Sequence, residues 1–155
     1  MAGSDSAQLH TFTFDKETEL KDAGAITSSA AAQVDGSDKI LDLGDAYVQG
    51  SAIFDISDIE FGDADETYEI QLQFSDSADF STGSPNTHVV SFPLGDARNG
   101  MTDQVTAGRK VVPFNNRYID ANGAVKNFRY MRAYTVCGGT TPSINYSAYV
   151  VKPVA

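Results

Sequence analysis

The chain has 155 residues, 41% of them hydrophobic, and a single cysteine, which suits one domain that folds by packing without an internal disulfide. Twenty-one acidic against eleven basic residues give a net charge of −10, which disfavours nucleic acid and anionic membranes as partners. No apolar run approaches the ~20 residues that cross a bilayer, and the N-terminus lacks the basic and apolar regions of a secretory signal. We therefore expect a protein made in a reducing cytoplasm.

The N-terminal part of the chain is expected to be extended. Residues 1 to 20 are predicted to form an arm, because "MAGSDSAQ" has no strand pattern and "TFTFDKETEL" has one only at its start. Residues 21 to 155 are predicted to form the single domain. Within it, "AITSSAAAQV" lacks an apolar stripe at helical spacing, which favours an extended segment. "KILDLG" then predicts a short strand that ends at Gly44.

Two strands are predicted in the middle of the chain. In "TYEIQLQFS", residues 67 to 75, apolar and polar residues alternate, as in a strand with one buried and one wet face. "SAIFDISDIEF" predicts an earlier strand whose alternation slips near Asp58. The connection "GDADE", residues 62 to 66, is short and turn-forming, so we expect these two strands to pair as a hairpin.

Two more strands are predicted in runs that contain proline. "HVVSFPL" and "GRKVVPF" are rich in β-branched and aromatic residues and include Pro93 and Pro113. Proline cannot donate to a strand ladder, so both are expected at strand ends, sheet edges or bulges. The intervening residues 95 to 108 predict a loop with one short strand near Val105.

The last two strands are predicted in "FRYMRAYTV" and "INYSAYVV". Both faces of each strand carry bulky side chains, as is typical of central strands in a sandwich. "CGGTTPS" is expected to join them as a hairpin, with Gly138 or Gly139 at positive φ.

This pattern predicts an all-β protein with eight or nine short strands in an antiparallel β-sandwich. The residues alone leave a jelly roll and an immunoglobulin-like arrangement open. No window shows helical periodicity, and no linker or repeat divides the chain.

The residues offer little catalytic or metal-binding chemistry. Cys137 could be a nucleophile with His10 or His88 as its base, but no cysteine-hydrolase signature surrounds it, and a small, partly buried residue at a strand end is the favoured interpretation. Two histidines and one cysteine lack the spacing of a zinc site. The acidic runs 63 to 66 and 76 to 79 resemble calcium ligands but lack the EF-hand pattern, so solvated loops are favoured.

Four tyrosines near the C-terminus are candidate contact residues, since tyrosine is enriched at interfaces. Core packing with the hydroxyl at the rim is the competing interpretation. The absence of tryptophan weakens a carbohydrate-binding interpretation. The four are Tyr130, Tyr134, Tyr146 and Tyr149.

Three segments taken in order resemble the cement (capsid decoration) proteins of tailed bacteriophages, of the Bordetella-phage cement protein type. They are "KILDLG", "YEIQLQFSDSADFS" and "FRYMRAYTVCGGTTPSINYSAYVV", and the likeness covers roughly residues 24 to 152. The matched positions are 40 to 44, 72 to 81 and 130 to 139. Ala133 departs from a usual large apolar residue and Cys137 from a usual polar or small one.

The resemblance implies a jelly-roll protein that binds the outside of an assembled capsid and bridges major capsid protein subunits as a dimer or trimer. It implies no catalytic residue, metal or cofactor. Two polar segments are candidate capsid contacts, namely the N-terminal "HTFTFD" and the loop "GDARNGMTDQVTAGRK". The residues singled out there are His10, Phe12, Phe14, Arg98, Met101, Arg109 and Lys110.

Two other functions compete with this one. The first is a carbohydrate- or host-surface-binding β-sandwich module of a fibre or adhesin, and the second is a hydrolase on a jelly-roll scaffold. A fibre module is usually fused to a trimerisation stalk, whereas this sequence starts at Met1 and ends near its last predicted strand. We therefore expect a stand-alone structural protein on the capsid exterior of a virion.

Overall fold

The computed structural model describes residues 16–62, 65–80 and 107–151, and the backbone of 89–94. A 3-10 helix, Lys16–Thr18, precedes the first strand. The strands, in chain order, are β1 (Glu19–Lys21), β2 (Ala25–Ile26), β3 (Ala30–Ala31), β4 (Gln33–Val34), β5 (Ser37–Asp38), β6 (Leu41–Asp42), β7 (Gln49–Ile59), β8 (Thr67–Ser75), β9 (Val89–Leu94), β10 (Gly108–Asn115), β11 (Arg117–Ile119), β12 (Val125–Asn127), β13 (Tyr130–Gly138) and β14 (Ile144–Val151).

Two antiparallel sheets carry most of the structure. The first has the order β1-β14-β7-β10, with β2 also paired to β14, and the second has the order β3-β13-β8-β9, with β6 also paired to β13. The pairs β4-β5 and β11-β12 form two small ribbons. The predicted all-β antiparallel sandwich is confirmed, while the jelly-roll topology stays a prediction. The strands outnumber the expected eight or nine because several are only two or three residues long.

One hydrophobic core lies between the two sheets. Phe54 on β7 and Tyr146 on β14 contribute from the first sheet, and Leu72 on β8 and Met131 on β13 contribute from the second. All four side chains are fully buried. The predicted alternation of residues 67 to 75 is confirmed, since its apolar members are buried and the polar residues between them are half-exposed.

Both predicted hairpins are wrong. β7 and β8 belong to different sheets, and so do β13 and β14, so each connection crosses from one layer of the sandwich to the other. Strands in opposite layers can bury apolar faces in the same core, and a short turn-forming linker suits a crossing as well as a hairpin. The expected positive φ is found at Gly139, where it is 105°.

Finer expectations about the strands are confirmed. The register between β7 and β14 shifts at Asn145/Tyr146, so β7 has one extra residue next to Asp58. Pro93 and Pro113 lie in β9 and β10, which are edge strands of their sheets. The Ala-rich run is extended in β2, β3 and β4.

The domain begins earlier than predicted. Leu20, which falls within the predicted arm, is fully buried in the core, and β1 pairs with β14. Residues 1 to 15 of the predicted arm lie outside the described part of the chain. Within the described ranges, no helix has the length and apolar character to cross a membrane.

Candidate contact surfaces

Several predicted contact residues lie outside the described residues or have intramolecular partners. His10, Phe12, Phe14, Arg98 and Met101 are outside the described ranges. Arg109 lies on edge strand β10, and its Nε and Nη2 donate to the Asp55 carboxylate at 2.7 and 3.0 Å. This pairing raises the pKa of Arg109. Lys110 is the next residue of the strand and is half-buried.

The four tyrosines divide between core and surface. Tyr146 is fully buried, so its interpretation as a surface contact is wrong and the core alternative holds for it. Burial raises the pKa of its hydroxyl, which lies 2.6 Å from Thr135 Oγ1. Tyr149 is only 7% exposed and lies opposite Ile53, with which it shares the outer face of the first sheet. Tyr130 and Tyr134 are half-exposed on β13.

Arg132, between the two half-exposed tyrosines, is the centre of a candidate contact surface that the sequence did not single out. Its guanidinium lies over the Phe80 ring at 4.3 Å and near the Tyr134 ring at 5.4 Å from the centroids. Its Nε donates to Gln73 Oε1 at 2.8 Å. Gln73 and Tyr134 are on neighbouring strands of the second sheet, β8 and β13.

A row of side-chain hydrogen bonds extends this arrangement along β8. Gln73 Nε2 donates to Gln71 Oε1 at 2.9 Å, and Gln71 Nε2 donates to Glu69 Oε1 at 2.8 Å. These three side chains are all half-exposed. We call the whole surface the Arg132 face; it consists of Glu69, Gln71, Gln73, Phe80, Tyr130, Arg132 and Tyr134.

Phe80 reaches this position through an unusual backbone conformation. Its φ is 52°, a left-handed value that is an outlier for a bulky side chain and costs roughly 1–3 kcal/mol. The conformation places its ring on Arg132, which lies far from it in the sequence. No local pattern signals this contact, because it depends on how the loop after β8 returns to β13.

Arg132 differs from Arg109 and Arg129 in the partners of its guanidinium. Arg109 and Arg129 pair with carboxylates, on Asp55 and Asp42 respectively. Arg132 has no carboxylate partner among the described residues, although acidic residues outnumber basic ones almost two to one. A planar guanidinium held on aromatic rings can bind a carboxylate through two parallel hydrogen bonds. The Arg132 face is therefore suited to a carboxylate of another molecule.

Two carboxylates of the acidic loops, those of Asp65 and Asp76, accept hydrogen bonds within the protein. Asp65 accepts hydrogen bonds from the Thr140 backbone N–H at 3.1 Å and from its hydroxyl at 2.7 Å. Asp76 accepts one from the Tyr118 hydroxyl at 2.8 Å. Among the described residues, no three metal-ligating side chains form a group that could hold a metal ion.

Cys137 lies near the end of β13 and is half-buried against the core. Burial raises the pKa of its thiol, which lowers the reactive thiolate fraction at neutral pH. Its backbone N–H donates to Ser29 Oγ at 2.9 Å. His10 and His88, the two candidate bases, lie outside the described residues.

Comparison of the chain with family models, with curated proteins and with solved structures finds no match. The function is therefore argued from the sequence and from the surfaces of the molecule.

Proposed function

We propose that this protein is a capsid decoration protein, which binds the outside of an assembled phage capsid and reinforces it. In this proposal its partners are the major capsid protein and other copies of itself, as a dimer or trimer. The sequence resemblance in three ordered segments supports it, as does the antiparallel β-sandwich. The protein contributes adhesion rather than a reaction, and it acts on the virion exterior after synthesis in the host cytoplasm.

The Arg132 face is the observation that carries the proposal. Tyrosine and arginine are, with tryptophan, the residues that most often dominate protein interfaces. Arg132 lies on a central strand and contacts two aromatic rings, those of Phe80 and Tyr134. Contacts to Phe80, Tyr134 and Gln73 hold the guanidinium before any partner binds, which lowers the entropy cost of binding. The face therefore suits a capsid subunit that presents a carboxylate.

Electrostatics support a protein partner over nucleic acid or membrane. The net charge of −10 keeps free copies apart and would repel phosphate groups. The Arg132 face is a small contact, so in this proposal each copy binds weakly by itself. An oligomer that spans neighbouring subunits gains avidity, because its second contact forms at a high effective concentration.

A carbohydrate- or host-surface-binding module is the second candidate function. The half-exposed rings of Tyr130 and Tyr134 lie on the same sheet as the amides of Gln71 and Gln73, and such groups can stack on and hydrogen-bond to sugars. One observation weakens this candidate: Arg132 lies over the Phe80 ring and near that of Tyr134, which hinders sugar stacking there.

The experiment measures binding to capsids that are assembled from the major capsid protein encoded in the same genome. Protein that co-sediments with capsids is quantified for wild type, Arg132→Ala and Arg132→Lys. We expect both variants to bind about tenfold more weakly, because lysine keeps the charge but not the planar pair of donors. Lys16→Ala is the charge-matched control, because Lys16 is exposed and precedes β1 of the first sheet, whereas Arg132 lies in the second; this variant should stay within about twofold of wild type.

Two results would contradict the proposal. One is wild-type protein that does not sediment with capsids at any concentration tested. The other is wild-type protein that binds host-cell polysaccharide, in an Arg132-dependent manner, without binding capsids. The second result would establish the carbohydrate-binding alternative.

A further inference from the structure

The ribbon of β11 and β12 exposes an apolar pair. Its strands pair with each other and with neither main sheet. Ile119 and Val125 are direct partners across the ribbon, and their exposed fractions are 71% and 61%. They are the two most exposed large hydrophobic residues in the described part of the chain. An isolated apolar side chain on a surface is ordinary, whereas two opposed ones on a ribbon form a small contiguous apolar patch.

The opposite face of the ribbon is anchored to the domain. The Tyr118 ring stacks on Phe128 at 3.9 Å between centroids, with an interplanar angle of 16°. Asn116, which directly precedes β11, is fully buried. Its Nδ2 donates hydrogen bonds to the backbone carbonyls of Ala46 and Phe128. Its Oδ1 accepts a hydrogen bond from the backbone N–H of Val48. These contacts fix the base of the ribbon.

The turn at the tip is held by Asp120. Its Oδ1 accepts hydrogen bonds from the N–H groups of Asn122 and Ala124, both at 2.9 Å. Its other oxygen lies 3.0 Å from Lys126 Nζ, and these contacts lower the pKa of Asp120. Gly123 takes a φ of 82°, which a side chain would disfavour. The exposed pair is therefore presented on a preorganised support.

A stacked arginine lies on the outer face of the same ribbon. The Arg117 guanidinium lies over the Tyr47 ring at 4.2 Å, and Tyr47 is 42% exposed. Within the described ranges, Arg117 forms no ion pair with a carboxylate. We define the ribbon patch as Tyr47, Arg117, Ile119 and Val125.

We propose that the ribbon patch is a second docking site, at which Ile119 and Val125 enter an apolar pocket of the capsid surface and Arg117 pairs with a carboxylate beside it. This inference rests on the proposed function. Local charge supports an acidic partner, since residues 116 to 129 contain three basic residues and one acidic residue in a chain of net charge −10.

The size and charge of the patch argue against another copy of this chain as its occupant. Stable dimers bury about 800 Å² on each partner, more than a few side chains supply. Pairing of two ribbons would also bring like charges together. A small contact of this kind suits a repeating surface, where many weak contacts act together. With the Arg132 face on β13, the ribbon patch gives each copy two distinct contacts.

The test compares capsid binding of the double variant Ile119→Ser/Val125→Ser with that of Val111→Ser. Val111 is a matched control, because it is 44% exposed on edge strand β10. We expect the double variant to co-sediment with capsids about tenfold more weakly and the control to stay within about twofold of wild type. Circular dichroism and thermal unfolding should be unchanged in both, since the replaced side chains are largely exposed. Arg117→Ala should weaken binding and reduce its dependence on salt.

The outcomes separate this inference from the proposed function. Wild-type binding that is weakened by Arg132→Ala but not by the ribbon double variant would overturn the inference and leave the function standing. Wild-type protein that fails to bind capsids would overturn both. Self-association of wild type that is lost in the double variant, with capsid binding unchanged, would show that the occupant is a second copy and would also overturn the inference.

Discussion

The hydroxyls of Thr135 and Tyr146 lie 2.6 Å apart in the core and join the two sheets of the sandwich. Thr135 belongs to β13 in the second sheet and Tyr146 to β14 in the first, and both side chains are fully buried. A buried hydroxyl without a partner is costly, so each of these groups requires the other. The pair therefore couples the layers at one defined register.

Removing both hydroxyls of this pair should cost less than the sum of the two single removals. We expect Tyr146→Phe or Thr135→Val to lower the free energy of unfolding by about 1–3 kcal/mol, because each leaves a buried polar group unsatisfied. The double variant should lose less than the sum of the two. A double-mutant cycle from urea unfolding measures the coupling, and strictly additive losses would show that the hydroxyls do not interact.

Gly139 should tolerate no side chain. At its φ of 105°, an added Cβ would lie 2.7 Å from the carbonyl oxygen of Asp65 and 2.7 Å from Glu66 Cα. Gly123→Ala is the matched control, since its φ is also positive but its Cβ would meet no atom within 4 Å. We expect the control to lose roughly 1 kcal/mol of stability and Gly139→Ala clearly more. Equal decreases in the free energy of unfolding for the two variants, measured in urea, would indicate that the backbone of Asp65 and Glu66 moves easily to make room for the added Cβ.

Stability should fall in alkaline solution. The pKa values of three tyrosines, Tyr68, Tyr118 and Tyr146, are raised in the folded protein, mainly by burial. The pKa of Tyr118 is raised to about 12. The folded protein thus retains protons that the unfolded chain releases near pH 10, so unfolding becomes easier as pH rises through that range. Burial lowers the pKa of Lys21, so this residue makes the folded protein relatively more stable as pH rises through the same range.

Urea unfolding at pH 8 and pH 11 measures the alkaline loss. The tyrosines outnumber Lys21, so we expect a lower urea midpoint at pH 11 and a smaller decrease in Tyr118→Phe. An unchanged wild-type midpoint would contradict this expectation.

Replacing Phe80 should separate stability from binding. Phe80→Gly removes the ring from Arg132, at a cost of about 0.5–1 kcal/mol, and adds the conformational entropy of glycine, roughly 0.5–1 kcal/mol. It also relieves backbone strain of roughly 1–3 kcal/mol, which offsets these costs. We therefore expect stability within about 1 kcal/mol of wild type and weaker capsid binding. Phe80→Ala keeps the strain and should be about 1 kcal/mol less stable than Phe80→Gly. Capsid binding of Phe80→Gly at the wild-type level would show that the ring has no part in the contact.

Cys137 should be slow to react and replaceable. Because burial raises the pKa of its thiol, reaction with a disulfide reagent at pH 7.5 should be slower in the folded protein than in urea. Cys137→Ser should change stability by no more than about 1 kcal/mol and leave capsid binding intact. Rapid modification of the folded protein, or loss of binding in the variant, would assign the thiol a role.

Local sequence determined the strands and some of their positions. The alternation from Tyr68 to Ser75 predicts a strand with one buried face, because side chains alternate between the two sides of any strand. Pro93 and Pro113 predict sheet edges, because proline has no N–H to donate. The slip near Asp58 predicts the extra residue of β7. Each of these three predictions depends only on a few residues that are neighbours in the sequence, and none depends on how the opposite sheet of the sandwich packs.

Only the tertiary structure decided which strands pair and which faces are covered. β13 and β14 carry bulk on both faces, so their sequences do not show which side meets the core, and Tyr146 is buried while Tyr134 is half-exposed. The contact between Arg132 and Phe80 joins distant parts of the chain through a left-handed residue. Strand periodicity specifies two faces, but the position of the opposite sheet selects the buried one.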